Sequence, residues 1–230
     1  MVVCNLSGGR MEAQYLDVVK RYSRGEPGKR GCDSLAKLFG QAVVAMEETH
    51  DGMKDILGDL FQGGITYGEA GQFFTPENVG RMMAQMMVSD VPEEVQHQPK
   101  RVCDPACGSG RLLLAVAEIQ RHWIFVGQDI DLRCVRMTAI NLALRNLYGY
   151  VIWGNSLADE RRLVYRTGFN LAGFLCEVPV GECPEPIQQL AMNANREAES
   201  PLGSNALSSF DSDVMSVERI ASPKTQLRLF

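Results

Sequence analysis

The stretch VCDPACGSGRLLLA, Val102 to Ala115, constrains the fold more tightly than any other part of the chain. Apolar residues run into an acid, then a proline and two spaced glycines, then a long apolar segment. By pattern, RVCD is a short strand, PACGSG a turn and RLLLAVAEIQRH a helix. The unit recurs: WIFVGQDID is a second strand with acids at its carboxyl end, LRCVRMTAINLALRNLYG a helix, and YVIWGNSL a third strand. Strands alternating with helices of this length imply a parallel α/β sheet. Ligands of such sheets sit at the carboxyl ends of the strands. FNLAGFLCEVPV, Phe169 to Val180, reads as a fourth strand or a hairpin.

Glycines in a strand-turn-helix unit let the backbone approach a ligand, and the first N–H groups of the helix favour polar or anionic atoms. The dinucleotide fingerprint would need a third glycine where Leu113 stands, and no Gly-Lys-Ser/Thr follows to make a P-loop. Two acids remain. Asp104, just before the turn, suits a cationic amino group, and Asp129, at the end of the next strand, suits ribose hydroxyls. A ligand with a ribose and an ammonium but no pyrophosphate points to S-adenosyl-L-methionine. Plainer roles stand beside these: Asp104 as a cap of the glycine turn, Asp129 and Asp131 as ordinary strand-end acids.

The first seventy residues read mainly as helix and as packing elements. Ser34 to Glu48 sets Leu35, Leu38, Ala42, Ala45 and Met46 on one face, with Asp33 or Ser34 as N-cap, and MKDILGDLFQ continues as a second helix until GGITYGE breaks the pattern. In GQFFTPENVGRMMAQMMV, Thr75 supplies a hydroxyl cap, Pro76 the first helical position and Glu77 an acid in the first turn. Met82, Met83, Met86 and Met87 then form an apolar stripe expected to enter the core. SDVPEEVQHQPKR is a polar connection, and the Asn-, Ser- and Glu-rich sequence after Cys183 is expected to be mobile.

A net charge of −5 argues against a uniformly basic nucleic-acid surface. Local clusters remain, at Lys20 to Arg30 and at Arg161, Arg162 and Arg166, as solvated surface or as phosphate contacts. Seven cysteines include no C-x-x-C pair, so Cys103 and Cys107 are expected to line a packed turn and no metal site is expected. No run approaches the roughly 18 apolar residues of a membrane span, and the N-terminus lacks a basic start followed by an apolar segment, so a cytoplasmic location is expected.

Taken in order, GQFFTP, VCDPACGSGRLL, VGQDID, INLALRNL and GNSL resemble the adenine-N6 DNA methyltransferases of the type I restriction-modification M-subunit family, over Gly71 to Leu157. The resemblance implies an α/β, Rossmann-like class I S-adenosylmethionine-dependent methyltransferase core, truncated, with N-terminal helices. The expected organisation is a helical segment over 1–70, the cofactor-binding domain over 71–182 and a polar, flexible tail over 183–230. Phe74, Thr75 and Pro76 would lie by the methionine end of the cofactor, and Asp104 would hold its amino group. Ala106, Gly108 and Gly110 would form the close-approach loop, Asp129 would bind the ribose and Ile130 would pack on the adenine. Asn155, or the adjacent Ser156, would contact the adenine amino group. DNA and a protein for target recognition are the implied partners, with no membrane and no metal.

One family feature is missing. Relatives hold a flipped adenine with an Asn/Asp-Pro-Pro-Phe/Tyr motif after the fourth strand, whose acceptors polarise the amine and whose ring stacks on the base. Here that region reads YRTGFNLAGFLCEVPVGECPEP: Asn170 precedes Leu171, and Pro179, Pro184 and Pro186 are never adjacent. Glu177-Val178-Pro179 stands at the end of the expected fourth strand without a Pro-Pro turn or an aromatic ring. No residue is assigned to catalysis. Three function classes follow: an adenine methyltransferase whose missing surface comes from a degenerate motif or a partner, a non-catalytic S-adenosylmethionine-binding regulatory or assembly module, and a protein that interacts with DNA or restriction components.

Overall fold

The N-terminal helical reading is met by α1 (Val2–Leu6), α2 (Glu12–Arg21), α3 (Gly31–Glu47) and α4 (Ile56–Gly64). The computed structural model describes residues 1–47, 52–64, 74–89, 100–170, 173–183 and 226–228. The GGITYGE break from Ile65 onward, the SDVPEEVQHQPKR connection over 90–99 and nearly all of the polar tail lie outside these residues.

Helix α3 starts ahead of Ser34, so neither expected cap caps it. Asp33 sits inside the first turn, where its carboxylate reaches back to the N–H groups of Gly28 and Arg30 at 2.8 and 3.1 Å, the reciprocal half of a capping box. Leu35 and Leu38 stay 37% and 52% exposed because Cys32, Phe39 and Ala42 take the inward positions.

Helix α5 (Glu77–Ser89) follows Pro76, whose carbonyl accepts from Val79 and Gly80 N–H at 3.0 and 3.1 Å. Only half of the methionine stripe faces inward. Met83 and Met87 pack on the core beside Ala84 and Val88, while Met82 and Met86 are 54% and 65% exposed. Four methionines in two adjacent pairs span a wider arc than one packed face can cover.

The frame of the molecule is two successive strand-helix units and the strand that follows them. β1 (Arg101–Asp104) turns into α6 (Arg111–Ile119), β2 (Ile124–Asp129) leads to α7 (Leu132–Leu144), and β3 (Gly149–Trp153) closes the series. Asp131 caps α7, accepting from Arg133 N–H at 2.8 Å. β1, β2 and β3 are parallel, with Val102 beside Phe125 and Phe125 beside Gly149. Helix α6 is buried from Leu112 through Ala117, so it reads as apolar all round rather than amphipathic.

The sheet as a whole is mixed, not parallel as expected. β4 (Leu163–Asn170) and β5 (Gly173–Val178) form an antiparallel hairpin on the outer edge of β3, pairing Val151 with Tyr165 and Tyr165 with Glu177. A parallel crossover needs about a dozen residues or more; the link from Gly154 to Arg162 is shorter, so the chain turns back antiparallel. β6 (Gln226–Arg228) pairs parallel with the other edge of β1, giving the order β5-β4-β3-β2-β1-β6. In a doubly wound sheet of order 3-2-1-4-5-6 the fourth strand holds that edge of the first. Here β3-β2-β1 keeps the doubly wound order, and the fourth and fifth strands stand at the opposite side.

Val102, Phe125, Val151, Tyr165 and Leu175 face the main core with Leu113, Val116, Val135 and Leu142. Val126, Ile152, Val164, Cys176 and Val178 form a smaller cluster on the other face.

Candidate functional site

The carboxyl ends of β1 and β2 meet at the glycine turn. Gly108 and Gly110 adopt left-handed φ values of 54° and 86°, a region where a side chain is strained. A Cβ on Gly108 would lie 3.0 Å from ring atoms of Phe74, and one on Gly110 would lie 2.9 Å from Thr138 Cγ2. The turn is tied down on several sides: Cys107 N–H donates to the Gln128 carbonyl at 2.9 Å, Gly110 N–H to the Cys107 carbonyl at 2.7 Å, and Thr138 Oγ1 to the Gly108 carbonyl at 2.9 Å.

Asp104 is fully buried. One carboxylate oxygen accepts from Ala106 N–H at 3.1 Å, while Oδ2 is buried with no hydrogen-bond partner among the described residues. Burial, with a smaller contribution from the charge of Asp129, pushes its pKa from 3.8 up to about 6. Asp129 backs the turn: Oδ2 accepts from Gly108 N–H at 2.9 Å and Oδ1 from Asp131 N–H at 2.8 Å. Burial raises its pKa as well. The Ile130 N–H also bears on this carboxylate, which leaves room for one further donor.

A cavity of about 250 Å³ brings together Phe74, Thr75, Asp104, Ala106 and Gly108 of the expected site, with Cys107, Ser109, Arg111 and Leu112. The other expected residues stand around it. Pro76 is exposed before α5, Gly110 is the N-cap of α6, and Asp129 lies behind the turn. Ile130 is 63% exposed, its carbonyl accepting from Trp153 Nε1 at 3.0 Å. Asn155 Oδ1 accepts from Leu157 and Ala158 N–H at 3.0 and 3.4 Å, closing a local turn beside Ser156. A larger apolar cleft of about 640 Å³ among α1, α2, α3, α4 and α7 is lined by none of these residues.

Arg111 escaped the sequence reading. Its guanidinium donates to the Thr75 carbonyl at 3.1 Å, to Asp59 at 2.6 Å and to Asp55 at 3.3 Å, joining α6 to α4 and to the Phe74–Thr75 segment. No spacing rule links these residues, because the partners lie 36, 52 and 56 positions away. Cys107, deep under the turn, has its thiol pKa pushed well up by burial, with the charges of Asp104 and Asp129 adding to it. Among the described residues no group of three or more His, Cys, Asp or Glu could hold a metal ion, and no helix is long and apolar enough to cross a membrane.

Glu177-Val178-Pro179 is remote from the turn. β5 is four strands from β1, and at roughly 4.8 Å per strand that is about 19 Å. Nothing from the fourth or fifth strand therefore stands beside Asp104.

An α/β sheet in the order β3-β2-β1, with an acid ending β1, left-handed glycines opening α6 and a second acid bracing the turn from β2, is the first half of a Rossmann-like class I methyltransferase core. Residues 53–167 match the family N-6 DNA Methylase. That is half of the 230 residues, and the chain belongs to this family. The type I restriction enzyme MjaIX methylase subunit of Methanocaldococcus jannaschii is 25% identical over an alignment of 169 residues that covers 66% of this chain. The match spans only 28% of that subunit's length. A solved type I restriction-modification methyltransferase subunit from Streptococcus thermophilus is 26% identical over 44% of this chain and 22% of its own, with a TM-score of 0.32.

Proposed function

We propose that the protein binds S-adenosyl-L-methionine at the β1–α6 turn and serves DNA methylation at adenine N6. The observation that carries this reading is the unpartnered oxygen of Asp104, buried beside a cavity that Phe74, Thr75 and Gly108 border. A buried carboxylate oxygen without a donor is costly, and an ammonium supplies both the donor and the charge. Ala106 and Gly108 let the ligand approach the backbone, and the exposed Ile130 offers apolar surface to an adenine ring. Asp129 has room to accept from a ribose hydroxyl, Phe74, Thr75 and Pro76 flank the methionine end, Gly110 opens the helix, and Asn155 stands at the rim beyond β3. The bound cofactor would supply an electrophilic methyl group. DNA is the substrate of this reading, a partner protein supplies target recognition, and the site of action is the cytoplasm.

Calorimetric titration with S-adenosyl-L-methionine tests it. One site per chain is expected in the wild type, with binding lost in Asp104→Ala and weakened in Asp129→Ala. No binding by the wild type, or equal binding by both variants, removes the assignment.

A second reading, a cofactor-binding regulatory or assembly module that transfers no methyl group, is favoured by one observation. The sequence has no Asn/Asp-Pro-Pro-Phe/Tyr motif, and β4 and β5, which follow β3 directly, stand on the edge of the sheet away from β1. Tritiated methyl transfer to unmethylated DNA separates the two. Incorporation above an Asp104→Ala control supports the enzyme; none, alone or with cellular partners added, supports the module.

A further inference from the structure

Asp55, the residue just before α4 in a stretch the sequence marks only as packing, reaches the cofactor loop. Asp55 is 2% exposed, and its two oxygens meet four donors. Oδ1 accepts from Gly58 N–H at 2.9 Å and Asn141 Nδ2 at 2.8 Å. Oδ2 accepts from Ser109 Oγ and from Arg111 Nε at 3.3 Å. Ser109 is the residue between the two left-handed glycines, and Asn141 Nδ2 also donates to the Ser109 carbonyl at 2.8 Å. Arg111 carries the connection onward to the Thr75 carbonyl at 3.1 Å. Three segments that border the cavity are thus joined through one buried carboxylate that does not itself line it. The approach is close: a Cβ at position 58 would overlap Asp55 Oδ2 and crowd Ser109 Oγ, so both side chains would have to shift.

We propose that Asp55 is a positioning residue for the cofactor: through Ser109 and Arg111 it sets the glycine turn and the Phe74–Thr75 segment at the separation the ligand needs. The inference rests on the cofactor reading above. A carboxylate is the group required, because only an acceptor-only side chain can receive donors on both oxygens. In Asp55→Asn one end of the amide would face a donor with a donor, either at Asn141 and Gly58 or at Arg111. The volume is unchanged, so the disturbance falls on the loop rather than on core packing.

The test compares wild type, Asp55→Asn, Ser109→Ala and the double variant by S-adenosyl-L-methionine calorimetry and by hydrogen exchange of the Ala106 to Arg111 amides. Asp55→Asn should bind about ten-fold more weakly while still unfolding cooperatively, and its loop amides should exchange faster than those of β2 and β3. Because Asp55 acts through Ser109, the double variant should lose less than the product of the two single losses, a coupling that a general loss of stability would not produce. Ser109→Ala removes one donor only and supplies a folded comparison if Asp55→Asn does not fold. Wild-type affinity and wild-type loop exchange in Asp55→Asn, or in Ser109→Ala where the former is unfolded, overturn the inference and leave the cofactor reading intact. Losses that simply multiply overturn it too. A wild type that binds no S-adenosyl-L-methionine overturns both.

Discussion

A carboxylate that titrates near 6 makes ligand binding depend on pH. Asp104 rises from 3.8 to about 6 because burial disfavours its charge and Asp129 adds a like charge nearby. Between those values the folded chain holds more protons than the unfolded one, so this group's contribution to stability falls as pH rises across the window and levels off above about 6. An ammonium placed against Asp104 favours the ionised form, which gives the binding step the opposite slope. S-adenosyl-L-methionine affinity should fall by about ten-fold from pH 7 to pH 5, with proton release on binding near pH 5.5. Calorimetry in two buffers of different ionisation enthalpy reads both, and Asp104→Asn should flatten the profile. A profile that is flat in the wild type would place the ammonium elsewhere. Gly108 gives a second residue-scale test. Its φ of 54° and the Phe74 ring 3.0 Å from an added Cβ make Gly108→Ala unfavourable on two counts. A loss of about 1–3 kcal/mol in urea unfolding is expected, with weaker cofactor binding.

At the scale of elements, α6 and α5 respond differently to substitution. Leu113 is fully buried in a helix enclosed on all sides, so Leu113→Ala should cost about 3 kcal/mol, measured by chemical denaturation. Met82, 54% exposed on α5, should tolerate Met82→Gln within about 0.5 kcal/mol. Both come from apolar stretches that look alike in sequence, and only the packing partner separates them. The strand-helix units from Arg101 to Trp153 were legible because their signals are local: strand composition, a glycine turn, a capping Asp131. Pairing of β4 was not, since choosing between the edges of β1 and β3 depends on the length of a connection and on contacts far along the chain. In the site, Asp104 and Asp129 were legible as acids at the carboxyl ends of successive strands, Asp104 at the glycine turn itself. Asp55 and Arg111 were not, because the residue before α4 and the first residue of α6 meet only after folding. Asn155 was marked by analogy with relatives, and its side-chain Oδ1 closes a turn on Leu157 and Ala158.

For the whole molecule, binding and stability are linked. A ligand that binds only the folded state at 100 times its dissociation constant stabilises it by about 2.7 kcal/mol. For a chain of this size that corresponds to a rise of several degrees in melting temperature. Thermal denaturation with and without S-adenosyl-L-methionine should show this rise in the wild type and none in Asp104→Ala; equal shifts in both would detach the ligand from this pocket. The contacts that build the pocket also set a time order. Asp55 meets Ser109 across 54 positions and Asn141 across 86, separations whose loop-closure entropy must be met before any contact forms. During synthesis Asp55 therefore leaves the ribosome ahead of its partners, and Asn141 emerges several seconds later at roughly 5–20 residues per second. A chain made only as far as β2 carries the glycine turn but lacks the Asn141 amide that joins Asp55 to the Ser109 carbonyl. The clasp on the turn is therefore complete only once α7 has been made, with β4 and β5 still to come.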